Sequence, residues 1–260
     1  MRIAIGLEYD GTAYNGWQRQ RTGTGVQALV EDALSSVANE TIEVTCAGRT
    51  DTGVHATAQV AHFETASERT PRGWLLGANS VLPDDISVTW AHPVDDSFHA
   101  RFSATSRSYH YLILNRLERS ALHRHRAWWV YDDLDADRMH RAAQALLGEH
   151  DFSAYRAAGC QASTPTRTIT SISVSRDKDW LNLEVTANAF LQHMVRNITG
   201  TLVAIGRGDE SEEWAHEALE SRDRKRAGIA APPHGLTLVG VTYPQEFELP
   251  ADPNRRLLRY

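Results

Sequence analysis

The sequence predicts an α+β protein in which helices cover one face of largely antiparallel sheets. Most of its short apolar stretches alternate with polar residues, which is typical of half-buried strands. Three longer stretches instead repeat apolar residues at helical spacing. This order of strands and helices recurs along the chain, so we expect two similar halves that join near 100–110.

The first half opens with a strand at 3–9, where Ile3, Ile5 and Leu7 point to one side of the strand. A helix follows, because apolar residues between 26 and 37 recur every three or four positions. The further strands up to the junction are predicted at 42–46, 58–63, 86–91 and 106–114, with Pro71 and Pro83 in the connections.

The second half repeats this order. A helical stripe at 139–147 can end at Gly148, and a second stripe at 191–205 is stopped by Gly206. The other predicted elements are strands near 168–175 and 180–187, an acidic helix at 211–221 and a strand at 236–243. We therefore divide the chain into an N-terminal half at 1–104, a C-terminal half at 105–246 and an irregular tail at 247–260.

Cysteine usage and hydropathy exclude several classes of protein. Cys46 and Cys160 lie far apart and lack CxxC spacing, which argues against a disulfide scaffold and a cysteine-based zinc site. No apolar run approaches the roughly 18 residues of a membrane-spanning helix, and signal-peptide features are absent at the start. We therefore expect a cytoplasmic location.

The formal charge of −6 is not typical of a nucleic-acid-binding protein. The charges are unevenly spread, however. Residues 101–126 carry six arginines against one acidic residue, Glu118, while acidic residues concentrate in 209–223. Arginine suits phosphate contacts and base stacking, but an arginine excess also arises from genome composition, and composition alone does not decide between the two.

Two familiar kinds of site receive little support. Residues 23–28 fit G-x-G-x-x-A, but a dinucleotide-binding loop must follow directly on a buried strand, and a polar stretch precedes this one. No P-loop sequence occurs. His55 and His62 fall on opposite faces of any continuous strand, and His123 and His125 lie among arginines. Structural or RNA-facing roles are therefore favoured for these histidines over metal binding.

The stretch 46–55 differs in kind. It is a loop bracketed by glycines that places Arg49 and Asp51 two positions apart between two predicted strands. Functional residues concentrate in such loops. Aspartate followed by Thr-Gly is also ordinary turn chemistry, so the local pattern marks Asp51 as a candidate without giving it a function.

Longer segments carry the interpretation further. Two of them read YDGTAYNGWQRQ at 9–20 and GRTDTGVHA at 48–56. The others are LPDDI at 82–86, FHARFSA at 98–104, RSYHY at 107–111, ANAF at 187–190, HMVRNI at 193–198 and GLTL at 235–238. In sequence and in order, these segments resemble the TruA family of tRNA pseudouridine synthases over most of residues 3–245.

The resemblance implies the pseudouridine synthase fold, in which two similar α/β-sandwich halves form a largely antiparallel mixed sheet flanked by helices. It also implies an isomerase that needs no cofactor or metal and acts on uridines at positions 38 to 40 of the tRNA anticodon stem-loop. The resemblance further implies a homodimer.

Five positions match residues to which the family gives a role. Asp51 resembles the catalytic aspartate, and Arg196 resembles the arginine that pairs with it. Arg49 resembles the arginine that enters the RNA stack. Tyr109 resembles the tyrosine that packs on the target base, and Leu236 resembles an apolar residue of the pocket.

The reaction suits these residue types. It breaks the N1–C1′ bond and rejoins the base through C5, and an ionised carboxylate can attack either C1′ or C6 and leave again. A neighbouring cation such as Arg196 keeps that carboxylate charged away from water. Extruding the base costs a few kcal/mol. Arg49 could offset this cost by filling the vacated space, and Tyr109 by stacking, which is worth ~1–3 kcal/mol.

The RNA contacts and two alternative functions remain open at this point. Residues 101–126, with Arg19 and Arg21, form a candidate phosphate-binding surface. Ser163 and Thr166 replace an arginine and an aromatic residue common in the family, which concerns RNA contacts and not the chemistry. A non-catalytic RNA-binding module on the same fold is disfavoured because the aspartate is intact, and a metal-dependent nuclease or hydrolase is disfavoured because ligand spacing is lacking.

Overall fold

A computed structural model describes residues 1–250, so positions 251–260 of the predicted tail lie outside the described residues. Within 1–250 the chain forms ten β-strands and five α-helices. The strands are β1 (Arg2–Tyr9), β2 (Thr45–Cys46), β3 (His55–Glu64), β4 (Ile86–Val94), β5 (Ser106–Asn115), β6 (Trp128–Val130), β7 (Gly148–Asp151), β8 (Thr166–Asp177), β9 (Trp180–Ala187) and β10 (Leu236–Thr242). The helices are α1 (Val26–Ala38), α2 (Pro71–Asn79), α3 (Ala136–Gln144), α4 (Met194–Arg207) and α5 (Trp214–Ser221).

The chain divides into two compact units. Among the described residues, the first contains Met1–Arg107 and 238–250, and the second contains Ser108–Thr237. This division differs from the boundaries predicted at 104 and 246. Most of β10, from Leu238 to its end, belongs to the first unit.

The strands of the first unit follow the order β4-β1-β3-β10, and β2 pairs with β3. β1 runs antiparallel to both of its neighbours, β3 and β4. Ile3, Ile5 and Leu7 are buried on one face, as their spacing predicts, but Ala4 is also buried. Ala4 belongs to a second cluster with Val60, Phe98 and others. The sheet is therefore covered on both faces at this strand.

The strands of the second unit follow the order β5-β9-β8-β7, and β6 is added to β5. β8 is antiparallel to both β7 and β9, whereas β6 runs parallel to β5. Helix α3 packs against β8 and against α4 and α5. The predicted α+β class with a largely antiparallel, mixed sheet is therefore confirmed. None of the helices in residues 1–250 is both long and apolar enough to cross a membrane.

Two predicted helix ends are wrong, and both errors concern a glycine. Gly206 lies inside α4, which continues to Arg207 and ends at Gly208 with a φ of 88°. A Cβ at Gly206 would lie 2.6 Å from Met139 of α3, so this glycine allows the two helices to approach each other. Gly148 does not end α3 either, because α3 ends at Gln144 and Gly148 begins β7 with a φ of 96°.

Helix α2 is absent from the sequence prediction, which places only a connection around Pro71. Thr70 caps this helix, since its side-chain oxygen accepts a hydrogen bond from Gly73 N–H at 3.0 Å. Pro71 occupies the first helical position, where its missing N–H costs nothing. Trp74 is fully buried and meets Phe63 edge to face at 5.0 Å. The Thr-Pro pair is therefore a helix start rather than a break.

Candidate active site

Asp51 and Arg49 share one loop, residues 47–54, which connects β2 to β3. We call it the Asp51 loop. The C=O of Asp51 accepts a hydrogen bond from Val54 N–H at 3.1 Å, and Gly53 between them has a φ of 77°. A positive φ at this position of a turn favours glycine. The loop therefore turns directly after Asp51, which is half-buried, while Arg49 is exposed.

The segment 9–20 holds the backbone of this loop on both sides of the aspartate. Trp17 N–H donates to the C=O of Thr50 at 3.0 Å. Gly53 N–H donates to the C=O of Tyr14 at 3.3 Å. The backbone on both sides of Asp51 is thus hydrogen-bonded to the same segment, residues 9–20. The Asp51 side chain therefore projects from backbone of defined position.

Two glycines of this segment make the close approach possible. Gly16 has a φ of 86°, and a Cβ there would lie 2.6 Å from the oxygen of Thr50. A Cβ at Gly11 would lie 2.0 Å from the oxygen of Val54. Any larger residue at either position would clash with the Asp51 loop. This steric limit explains why both positions of the motif at 9–20 are glycine.

A buried polar network fixes the residues on both sides of Arg49. The side-chain amide of Gln59 donates to the C=O of Gly48 at 2.7 Å and accepts from Gly48 N–H at 3.4 Å. The same amide donates to the hydroxyl of Tyr9 at 3.3 Å. Tyr9 in turn shares a hydrogen bond of 2.8 Å with the Thr50 hydroxyl. Gln59, Tyr9 and Thr50 are all buried, so water does not compete for the bonds that join these three side chains.

Arg107 connects the base of the loop to a neighbouring turn. Its guanidinium donates to the C=O of Ala47 at 3.0 Å, of Arg101 at 2.6 Å and of Ala104 at 3.1 Å. Arg107 is only 8% exposed. Of the arginines in the predicted phosphate-binding stretch 101–126, this one is therefore internal and holds backbone instead of phosphate.

Tyr109 and Leu236 lie in the second unit. Tyr109 is a buried residue of β5, and its ring meets Phe190 edge to face with centroids 5.0 Å apart. Leu236 is the buried first residue of β10. Both side chains offer the aromatic or apolar surface that a base pocket requires.

Arg196 is half-buried on α4 and is bound to the segment that follows α5. Its Nε donates to the C=O of Ala231 at 2.8 Å, and its own C=O accepts from Ala231 N–H at 3.0 Å. Tyr111 binds the next residue, since its hydroxyl donates to the C=O of Pro232 at 2.7 Å. Burial raises the pKa of Tyr111 well above its usual range, and the nearby positive charge of Arg196 opposes the shift.

Comparison with known proteins decides the family. The family model described as tRNA pseudouridine synthase matches residues 6–103 and 142–244. The chain belongs to the tRNA pseudouridine synthase family. The predicted resemblance is therefore confirmed, and the α+β architecture is the one expected of this family.

Curated relatives named tRNA pseudouridine synthase A support the assignment. The one from Pseudoalteromonas atlantica (strain T6c / ATCC BAA-1087) is 57% identical over 250 residues, which cover 96% of this chain and 95% of the relative. Those from Shewanella amazonensis (strain ATCC BAA-1098 / SB2B) and Shewanella baltica (strain OS155 / ATCC BAA-1091) are 55% and 54% identical, each covering 96% of both chains. A chain in a crystal structure of a Cbf5-Nop10-Gar1 complex matches 93% of this chain and 49% of its own length, at 12% identity. Its TM-score of 0.39 is too low to carry an argument.

The predicted site residues of this pseudouridine synthase divide between the two units. Asp51 and Arg49 are brought together by one loop of the first unit, and Tyr109, Arg196 and Leu236 belong to the second. Their catalytic and binding roles remain predictions. The buried residues that hold the Asp51 loop are absent from the sequence prediction. Gly11 and Gly16 of the motif at 9–20 were the available signal. A glycine can allow another chain segment to pack closely against it, and here that segment is the Asp51 loop.

Three of the four histidines considered for metal binding have structural contacts. The Nδ1 atom of His55 accepts a hydrogen bond from Gly11 N–H at 3.0 Å. The Nδ1 atom of His62 accepts one from Ala100 N–H at 3.2 Å. His123 meets Trp180 edge to face at 5.0 Å. Within residues 1–250, no group of three or more His, Cys, Asp or Glu side chains could hold a metal ion.

The remaining predicted phosphate contacts are mixed in character. In the second unit Arg119, Arg124 and Arg126 are exposed. Arg116 lies 3.7 Å from a carboxylate oxygen of Asp179. In the first unit Arg19 is exposed but pairs with the buried carboxylate of Glu31 at 2.5 Å, and Arg21 is exposed. The arginine-rich stretch therefore offers a smaller basic surface than its composition predicts.

Proposed function

We propose that this enzyme converts uridine to pseudouridine at positions 38, 39 and 40 of the tRNA anticodon stem-loop, with Asp51 as the nucleophile. Membership of the tRNA pseudouridine synthase family makes the chain an isomerase that acts on tRNA. The observation that supports Asp51 is its loop. Peptide bonds before and after the aspartate are hydrogen-bonded to segment 9–20, and a buried network fixes the residues on both sides of Arg49.

The proposed reaction proceeds in two covalent steps. The carboxylate of Asp51 attacks either C1′ or C6 of the target uridine, and its departure later restores the free carboxylate. The bond from C1′ to N1 breaks, the base turns, and a bond from C1′ to C5 forms. C5 loses its proton to solvent and N1 gains one, so the reaction needs no oxidant and no added group.

The other site residues serve this attack. Arg196 is the arginine that we propose to pair with the Asp51 carboxylate. Two hydrogen bonds to Ala231 hold Arg196 in place, one from its Nε atom and one to its backbone C=O. Arg49 is exposed and can fill the space that an extruded base leaves. Tyr109 stacks on the target base, and Leu236 forms part of the apolar wall.

The partners follow from the same family. The substrate is tRNA, and the proposed active form is a homodimer in the cytoplasm. Sedimentation of the purified protein at micromolar concentration tests the oligomeric state, because a dimer of this 29.0 kDa chain has twice the mass of the monomer.

Tritium release tests the reaction directly. Unmodified tRNA that contains [5-³H]uridine should release tritium to water in the presence of a chelator. Stem-loops with uridine at only one of positions 38, 39 and 40 should each react, and a stem-loop with cytidine at all three should not.

Asp51→Asn tests the nucleophile, and Asp133→Asn is a matched control because Asp133 is an exposed aspartate between β6 and α3. Asp51→Asn should abolish release in a folded protein that still binds tRNA, while the control keeps the wild-type rate. RNA binding without release by the wild type would instead indicate a non-catalytic RNA-binding module. Turnover by Asp51→Asn would show that another group is the nucleophile.

A further inference from the structure

The turn between β4 and β5 displays an aromatic ring that the fold does not use. Phe102 is 75% exposed, whereas Phe98 in the same turn is fully buried. A single exposed apolar side chain is ordinary in itself. What distinguishes Phe102 is that neighbouring side chains contact its ring while most of the ring stays exposed to solvent.

His99 organises this turn. Ser103 N–H donates to the C=O of His99 at 2.8 Å, which closes one turn of chain. The Nδ1 atom of His99 accepts hydrogen bonds from the N–H groups of Arg101 and Phe102, each at 3.2 Å. An Nδ1 that accepts these bonds carries no proton. Partial desolvation and the charges of Arg2 and Arg101 lower the pKa of His99, which favours the same neutral form.

The His99 ring also supports the phenyl ring. The two rings lie 4.4 Å apart at 34°, and the Arg101 guanidinium carbon lies 5.4 Å from the centre of the Phe102 ring. A supported ring loses less conformational entropy when it binds a ligand than a mobile one does. The turn thus presents a supported and largely exposed aromatic ring with the positive charge of Arg101 over it.

The turn lies next to the Asp51 loop within the first unit. The Arg107 guanidinium donates to both Ala47 at the start of that loop and Arg101 in the turn. Burial raises the pKa of the Cys46 thiol to about 12, and the charges of both Arg49 and Arg101 oppose this shift. The Asp51 loop and the turn are therefore joined through the buried guanidinium of Arg107.

We propose that Phe102 is a stacking platform for an unpaired nucleobase of the RNA substrate, and that Arg101 contacts the adjoining phosphate. This inference rests on the proposed function for its ligand. An aromatic face beside arginine is the combination by which proteins bind single-stranded RNA without reading its sequence. A lone ring among polar neighbours is too small to be the core of a stable protein interface, so RNA is the better occupant.

Binding of labelled RNA hairpins tests the platform. The probes are an anticodon stem-loop and the same stem as a blunt duplex without unpaired bases. Phe102→Ala should weaken stem-loop binding by about 10-fold, as expected for one lost base stack, and should leave duplex binding unchanged. Phe102→Trp should restore binding, whereas Phe102→Leu, which keeps an apolar side chain without a ring, should not.

Leu76→Ala is the matched control, because Leu76 is 52% exposed on α2, outside the turn. It should bind both probes like the wild type. Thermal unfolding should be similar for all variants, since an exposed ring contributes little to the core. Equal binding by Phe102→Leu and the wild type would overturn the platform, as would equal losses for stem-loop and duplex.

Two further outcomes separate this inference from the proposed function. Ring-dependent binding without tritium release would support the platform and contradict the isomerase assignment. Tritium release together with unchanged binding by Phe102→Ala would contradict the platform alone. A change in sedimentation of Phe102→Ala, with RNA binding intact, would show that the ring contacts a second copy of the chain and would also overturn the inference.

Discussion

The side chain of Gln59 binds both backbone groups of Gly48. Its Nε2 donates to the C=O at 2.7 Å, and its Oε1 accepts from the N–H at 3.4 Å. Gln59 is fully buried, and its two bonds to Gly48 are partly buried. A residue in the middle of β3 thereby sets the path of the chain that carries Arg49 and Asp51.

Replacing Gln59 by methionine should reduce catalysis more than binding. The change keeps the length of the side chain but leaves the two partly buried backbone groups of Gly48 and the Tyr9 hydroxyl without this partner, at a cost of about 1–3 kcal/mol in the free energy of unfolding. A displaced nucleophile should lower kcat by roughly 10- to 100-fold, with KM within a few-fold. Single-turnover tritium release and urea unfolding measure the two effects.

Gln144→Met is the matched control for this change. Gln144 in α3 also donates to two backbone carbonyls, those of His140 and Ile172, at 3.0 and 3.1 Å. It should lose stability without losing kcat. Equal losses of kcat in the two variants would mean that the effect of Gln59 is general destabilisation.

Gly16→Ala should disturb the Asp51 loop from outside. The added methyl group would lie 2.6 Å from the Thr50 oxygen at a residue whose φ is 86°. The positive φ alone should cost about 1–2 kcal/mol, and the displaced loop should lower kcat by at least about 10-fold. Gly148→Ala is the control, because its φ of 96° imposes the same backbone strain. The added methyl group would lie 3.6 Å from His150, an ordinary contact distance, so kcat should be retained. A wild-type kcat in Gly16→Ala, together with an unchanged unfolding midpoint, would contradict the support of the Asp51 loop by segment 9–20.

Arg196→Lys should abolish most activity although the charge is kept. Lysine has no Nε to donate to the C=O of Ala231, and it lacks the planar fork of arginine. We expect kcat to fall by roughly 100-fold, the size seen when one preorganised donor is removed. Arg224→Lys is the control, because Arg224 binds Asn197 of the same helix at 2.9 Å. Its unfolding midpoint should fall while its kcat is retained, and similar kcat values for both variants would argue against a catalytic role for Arg196.

His62 should make the protein less stable in weak acid. Burial, with a smaller contribution from the positive charge of Arg2, lowers the pKa of His62 from 6.5 to about 4. Between these values the unfolded chain binds a proton that the folded chain does not, so stability is complete above pH 6.5 and is lost as the pH falls towards 4. From pH 7 to pH 5 this loss should be about 2 kcal/mol.

His62→Asn should make the pH dependence of unfolding shallower by up to this amount. Asparagine offers an oxygen that can replace Nδ1 as the acceptor for Ala100 N–H. His216→Asn changes an exposed histidine of α5 and serves as the control. Urea unfolding at pH 5, 6 and 7 supplies the measurement, and an unchanged slope in His62→Asn would exclude His62 as its source.

Local features of the fold were accessible from the sequence because they depend on neighbouring residues. Alternation over a few positions predicts β1 and β9, and the apolar stripe after Gly25 predicts α1 at nearly its true bounds. The prediction of helix ends failed at glycine, because glycine can either end a helix or allow two helices to pack closely. Gly206 is a packing contact with Met139 and not a helix stop, and only the position of α3 shows which role applies.

The family follows from sequence motifs whose order and content are specific, and the same motifs place Asp51 and Arg49 within one loop. The residues that hold this loop are visible only in the folded chain. Gln59 is eleven residues from Gly48 and Tyr9 is 41 residues from Thr50, and no local pattern encodes such pairs. The same holds for Phe102, whose exposure and support by His99 depend on how the turn folds back on itself. A spacing rule predicts which face a residue occupies, but a hydrogen bond between distant segments exists only once both are packed.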